Sequence, residues 1–307
     1  MCREITRTNP DLIYTNNGLD SDLAAIIAGW IKRIPVISHE RGIPETVSRM
    51  QKLFYFPIDK LISISSPTST AILQNGFHKD RLVLIYNGIN TKNVPSLSIS
   101  EQAEFRRSYS IRSRDPIIVM AGMLTEWKGQ DVLLRAVPDI LGATPDCKII
   151  FVGEPPNNDT AFRSALATLT DDLGIQESVR FIGYRRDVLA LMAMADIVVH
   201  TSVAPEPFGR VIVEAMAAGT IILATNIGGP KEIIRHGHDG YLVEPNNPAA
   251  LAERVNSVLA NPDAASKMVA AGLESVKCFD SERVADRLDR EFRDTIERKQ
   301  KGRVRSI

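Results

Sequence analysis

Cysteine is scarce and scattered. Cys2, Cys147 and Cys278 form neither a metal-type spacing nor a disulfide framework, and this points to a reduced, cytoplasmic setting. Net charge is lacking too. The 37 Lys and Arg balance 37 Asp and Glu, so the whole molecule is no electrostatic trap for nucleic acid. No apolar run reaches membrane-span length; the longest, around Ala24–Trp30, stops at Lys32 and Arg33. The residues after Met1, CREITRTNPD, are polar and charged and carry no signal-peptide core.

The chain does have short apolar runs alternating with helical patterns. LIYT (12–15), PVIS (35–38), KLISIS (60–65) and RLVLIY (81–86) read as buried strands. The pattern restarts at Asp115 with PIIVMAG (116–122), CKIIFVG (147–153), VRFIG (179–183), DIVVH (196–200), TIILAT (220–225) and GYLVE (240–244). Near-continuous apolar strands separated by helices predict an α/β fold with parallel sheets covered on both faces. Two doubly wound domains follow, with the boundary in the polar stretch between Asn87 and Arg114, set at 1–100 and 101–279. The first has about four strands and the second at least six. Residues 280–307 read as a charged helix with an apolar stripe at Val284, Leu288, Phe292 and Ile296, then a basic tail, KGRVRSI. The tail and the Lys/Arg excess of the first segment, including Lys32 and Arg33, read first as solvated basic faces, with contact with an anionic membrane surface as the alternative.

The stretch PEPFGRVIVEAMAAG (205–219) carries two carboxylates, Glu206 and Glu214, around a helix start. It follows the strand DIVVH, so it sits where open α/β sheets bind ligands. Free N–H groups of Phe208, Gly209, Arg210 and Val211 would favour phosphate, and Pro205 and Pro207 stiffen the loop. A carboxylate there serves better as an acceptor for sugar hydroxyls. The geometry suits a sugar–diphosphate–ribose ligand, with hydroxyls at both ends and charge in the middle. The plainer readings are helix capping for Glu206 and an i,i+4 surface pair with Arg210 for Glu214. Glycines at other strand ends weigh against them: Gly122 with Lys128 close behind, Gly153, the turn at Tyr184 and Arg185, and the Gly-Gly of TNIGGPKEI. Asp20-Ser-Asp22 is a D-x-D string at a helix start in the first domain, and it reads as a cap.

Together these segments resemble a retaining glycosyltransferase of family 4. The matching elements are VIYNGIN-like IYNGIN, GMLTEWKGQDVLLRA, FVGEPP, the stretch from VRFIGYRRD through PEPFGRVIVEAMAAG to GGPKEII, and HGHDGYLVEPNNP. They cover nearly all of residues 84–250, with E-x7-E intact at Glu206 and Glu214. The resemblance implies a GT-B fold: two Rossmann-like domains facing across a cleft, with the C-terminal helix crossing back to the first. It implies that Glu206 contacts donor sugar hydroxyls and Glu214 the ribose. Pro207, Phe208, Gly209, Arg210 and Val211 would line the sugar and phosphates. Lys128 would hold the diphosphate, and Gly122, Gly153, Tyr184 and Arg185 would border the nucleotide. No metal or cofactor is called for; the substrate would be a UDP- or GDP-linked sugar, and the acceptor a sugar or a lipid-linked sugar.

Two departures from the family pattern stand out. Met123 occupies the place of the usual Arg in a G-R-L string, and Met binds no phosphate. The family's first strands, with their glycine-rich loop, have no counterpart, so the N-terminal domain reads as incomplete. The family's catalytic-region histidine has no clear match either. TNNG (15–18) stands near one version of that motif, and His39 of SHERG is the nearest substitute, although a lone histidine after a strand is more often a structural hydrogen-bonder than a catalyst. The expected catalytic set is therefore Lys128, Glu206 and His39. The rival readings are a sugar-nucleotide-binding remnant that regulates or scaffolds, and a sugar-nucleotide epimerase of the same fold.

Overall fold

The structure, a computed structural model, describes residues 1–304 apart from residues 18, 49 and 159. The readings of Gly18 in TNNG, of the Asp20 side chain as a cap, and of the last three tail residues lie outside the described residues.

Two compact units emerge. One comprises residues 1–88 together with 279–307, and the other residues 89–278. The division falls at Gly88–Ile89, inside the polar stretch but ahead of the 100/101 boundary drawn from the sequence, because residues 89–100 belong with the second unit.

The first unit holds a four-stranded parallel sheet of β1 (Ile13–Thr15), β2 (Val36–Glu40), β3 (Lys60–Ser63) and β4 (Leu82–Leu84), laid side by side in chain order. One face packs Ile26, Tyr55, Ile72 and Phe77 against Val36 and Leu61. The other face carries Ile37, Ile62 and Ile85, and it is covered by Val284, Leu288 and Phe292 of the helix Ser281–Val304. That four-residue stripe is what lets a helix of low mean hydropathy lie on a sheet. Its polar flank is anchored by the ion pair Lys60–Glu291 and by Lys299 Nζ, 2.6 Å from Asp59 Oδ1.

The second unit holds six parallel strands: β5 (Ile117–Ala121), β6 (Lys148–Val152), β7 (Val179–Phe181), β8 (Ile197–His200), β9 (Ile221–Thr225) and β10 (Tyr241–Val243). Their order is β10-β9-β8-β5-β6-β7, so the chain builds outward from β5 in one direction and returns to build outward from β8 in the other. β5, β8 and β9 are buried along their whole length, as near-continuous apolar runs require when both sheet faces are covered. Ile118, Met120, Ile149, Phe151, Val199 and Leu223 share one core with Leu133, Val137 and Ile140 of the helix Gln130–Ala143. The reversal of strand order lies between β5 and β8, the position at which open parallel sheets bind ligands. Among the described residues no helix is long and apolar enough to cross a membrane.

Candidate functional site

Three loops of the second unit meet at this switch point, and backbone contacts lock them together. The loop after β5 is tied to the loop after β8: Thr201 Oγ1 donates to Gly129 O at 2.7 Å, and Val203 N to Trp127 O at 2.8 Å. Gly129 has φ +69, and a Cβ there would lie 2.2 Å from Thr201 O. Only glycine permits both the turn and the approach. The loop after β9 seals the other side. Gly229 N donates to Glu206 O at 2.8 Å, and a Cβ on Gly228 would lie 2.5 Å from that same oxygen. The Gly-Gly pair thus fits the backbone of the glutamate loop rather than a ligand.

This framework presents the Glu206 carboxylate to three donors. Lys128 Nζ lies 2.5 Å from Oε2, His200 Nε2 3.1 Å and Ser202 Oγ 3.2 Å. Burial by itself would raise the pKa of this carboxyl. The hydrogen bond and charge of His200, followed by Lys128, outweigh burial and hold it down at about 2. Glu206 is therefore an ionised acceptor. It caps no helix: the helix Arg210–Ala217 has Gly209 at its N-cap, with φ +99 and no side-chain capping bond. The capping reading of Glu206 is corrected by this geometry. Gly219, with φ +71, ends the helix in the left-handed conformation.

A cavity of about 460 Å³ lies at the carboxyl ends of β5, β6 and β7, and neither Lys128 nor Glu206 is among the residues that line it. Of the residues expected at the site, Gly122, Gly153, Tyr184, Arg185, Val211 and Glu214 line it. Glu214 also accepts from Arg210 Nη2 at 3.0 Å, so the surface pair and the cavity position are both present. Arg185 is held by Asp187 through two bonds of 2.9 and 2.7 Å, and this aligns the wall that carries Tyr184. Phe208 is buried as a whole residue, with its backbone packed against Gly229, and Arg210 points its guanidinium outward, 66% exposed. Pro207, Phe208, Gly209 and Arg210 belong to the loop and helix start and are not part of the cavity wall. Met123 is half exposed on that wall and brings no charge.

Sequence reasoning missed His200 and Ser202, which hold Glu206, and Glu154 and Arg186, which line the cavity. His200 ends β8, and a polar residue closing an apolar strand just ahead of a glutamate loop was its available signal. Among the described residues no group of three or more His, Cys, Asp or Glu is placed to hold a metal ion.

His39 belongs to the first unit. It lies within β2, not after it, and only 1% of it is exposed, with Nδ1 2.6 Å from the Tyr14 hydroxyl. Burial, and then the charge of Arg41, lowers its pKa to about 3. The ring is neutral and enclosed, which corrects its place at an open strand end. The accessible residue there is Arg41.

The family model described as Glycosyl transferases group 1 matches residues 101–275. An uncharacterized glycosyltransferase of Methanocaldococcus jannaschii, MJ1607, is 39% identical over 60% of this chain and 46% of its own length. The chain spans about half the length of several curated relatives it matches. Among solved structures, Anabaena HepE in complex with UDP superposes with a TM-score of 0.86 at 27% identity, covering 95% of this chain and 82% of that one. A glycosyltransferase from Rickettsia africae superposes with a TM-score of 0.88 at 25% identity, covering 96% and 79%.

Proposed function

Because the chain belongs to the glycosyl transferases group 1 family, with a fold matching GT-B enzymes, we propose that its second unit binds a nucleotide-sugar donor. The protein then transfers the sugar, with retention of configuration, to a sugar or lipid-linked acceptor. The observation that carries this reading is the Lys128–Glu206 pair on the loops after β5 and β8, at the same sheet edge as a cavity lined by Glu214. The cavity takes the nucleoside, with Glu214 accepting ribose hydroxyls and Tyr184 and Gly153 flanking the base. Lys128 spends one donor on Glu206 and keeps two for the diphosphate. The N–H groups of the Arg210–Ala217 helix start, uncapped by any side chain, add to that charge stabilisation. Glu206, ionised and fixed, accepts from donor sugar hydroxyls. Catalysis is then positional and electrostatic, with the departing diphosphate held by groups already in place. HepE binds UDP, and this makes uridine the first base to test.

Met123 favours one second reading. A cavity wall that lacks a cation at that position suits a protein that binds the donor without cleaving it. Calorimetric titration with UDP, GDP and their glucose and mannose conjugates tests both readings. One nucleotide binds, Glu214→Ala abolishes the binding, and the purified chain releases free UDP or GDP from the conjugate. Binding without release selects the second reading; a folded chain that binds no nucleotide overturns both.

A further inference from the structure

We propose that the carboxyl end of the first unit's sheet is an anion-binding site centred on Arg41, and that it takes the carboxylate or phosphate group of the acceptor. The assignment to an acceptor rests on the transfer reading above. The anion site itself does not.

Asn16 directly follows β1, Arg41 directly follows β2, and Asn87 lies just beyond β4. These are the carboxyl ends of parallel strands, the edge at which such sheets bind ligands. The guanidinium is held there by two side-chain amides. Nε and Nη2 donate to Asn16 Oδ1 at 3.0 and 2.6 Å, and Nη1 donates to Asn87 Oδ1. Asn16 is itself fixed by the Tyr14 hydroxyl, 3.0 Å from the same oxygen.

The chemistry of these partners is the point. Several other arginines are matched with carboxylates, Arg185 with Asp187, Arg235 with Asp239 and Arg293 with Asp289, while Arg81 and Arg180 are held by backbone carbonyls. The carboxylate pairs cancel charge. Amide oxygens orient a guanidinium and leave its charge in place. The adjacent carboxylate, Glu40, turns Oε1 back toward the Gly42 amide at 3.3 Å. The Arg41 charge is also felt by its neighbours, since it acts to lower the pKa of both His39 and Tyr14. Three of the five guanidinium N–H donors are engaged, and one on each terminal nitrogen remains. Two parallel donors on a half-buried, pre-oriented fork form the arrangement that carboxylates and phosphates bind bidentately.

The test is calorimetric titration of the intact chain, saturated with UDP, using glycerol 3-phosphate, L-malate and glycerol. UDP saturation fills the donor site, so a second anion must bind elsewhere. One or both anions bind, glycerol does not, and Arg41→Gln weakens that binding roughly ten- to a hundredfold. Arg41→Lys, which keeps the charge but loses the fork, falls between the two. Preference for glycerol 3-phosphate assigns a phosphate acceptor, and preference for L-malate a carboxylate. Both variants must bind UDP with wild-type affinity, and this separates loss of the site from loss of the fold. Anion binding unchanged in Arg41→Gln, or no anion binding by a chain that binds UDP, overturns the proposal. If UDP itself fails to bind, the donor reading fails instead, and the anion titration then stands on Arg41→Gln compared with Lys128→Ala.

Discussion

Lys128 Nζ lies 2.5 Å from Glu206 Oε2, and the two residues are 78 positions apart in the chain. The contact exists because the loops after β5 and β8 are bonded through the Thr201 hydroxyl and the Val203 amide. The pair works as one unit: the carboxylate fixes the ammonium, and the ammonium, after His200, helps to hold the carboxylate ionised. On the proposed donor reading, Lys128→Ala removes a diphosphate contact and loosens the sugar contact together. Turnover should fall about 10²- to 10³-fold, as for loss of one preorganised charge-stabilising donor. The double variant Lys128→Ala with Glu206→Gln should cost little more than the worse single. Steady-state kinetics of all three decide, and multiplying losses would show that the two act independently.

The depressed pKa of Glu206 has a consequence for stability. Its value in the fold is about 2, against an ordinary 4.5. A carboxyl whose pKa is lowered by folding contributes stability that is complete above the unfolded value and is lost as pH falls toward the folded one. The stability difference between wild type and Glu206→Gln should be constant above about pH 5 and shrink steadily below about 4.5. Urea unfolding at pH 7, 5, 4 and 3.5 measures it. A difference independent of pH would mean that the carboxylate is not held by His200 and Lys128 in solution.

Gly228 and Gly237 offer a matched pair. Their φ angles are +74 and +75, so an added side chain meets the same backbone strain at both. At Gly237 nothing lies within 4 Å of the new Cβ, whereas at Gly228 it meets the Glu206 backbone at 2.5 and 2.6 Å. Gly237→Ala should cost about 1–2 kcal/mol, the left-handed penalty alone. Gly228→Ala adds an overlap that only movement of the glutamate loop relieves, for a total above about 3 kcal/mol. It should also weaken UDP-sugar binding, which Gly237→Ala leaves intact. Equal costs in the two variants would show that the loops are not locked as described.

All ten strands were legible, because each is a short, mainly apolar run bounded by turn residues; β5, β8 and β9 are also buried along their whole length. PIIVMAG becomes β5 and TIILAT becomes β9 almost residue for residue. The helix stripe at Val284, Leu288 and Phe292 was legible for the same reason: its period is local. The site was legible only where its chemistry is local too. Glu206 and Glu214 stand out by spacing around one helix start. His200 and Ser202 did not, since a histidine closing DIVVH takes on meaning only when the loop folds Glu206 back over it. Arg41 was passed over for a similar reason. Its partners, Asn16 and Asn87, come from the ends of two other strands, and no window of sequence shows them together.

His39 gives the last test, and it bears on mechanism. Its folded pKa is about 3, against 6.5 for an ordinary histidine, because burial disfavours the cation and Arg41 adds to that. Between these values the unfolded chain binds a proton that the native ring does not. Stability therefore falls as pH falls from about 6.5 toward 3, and the full contribution stands above 6.5. The slope for one proton is about 1.4 kcal/mol per pH unit. The Tyr14 hydroxyl donates to Asn16 and so accepts from His39 Nδ1–H; His39→Gln keeps a donor for it and removes the titrating group, so its stability should lose that much less per unit between about pH 5.5 and 4. Parallel wild-type and variant profiles, or a His39 ring signal titrating near pH 6.5 in nuclear magnetic resonance, would refute the assignment. A ring neutral throughout this range has no proton to offer near pH 7, where a general acid or base is most useful with a matching pKa. His39 then acts on the first unit by holding Tyr14, and through Tyr14 the Asn16 amide that orients Arg41.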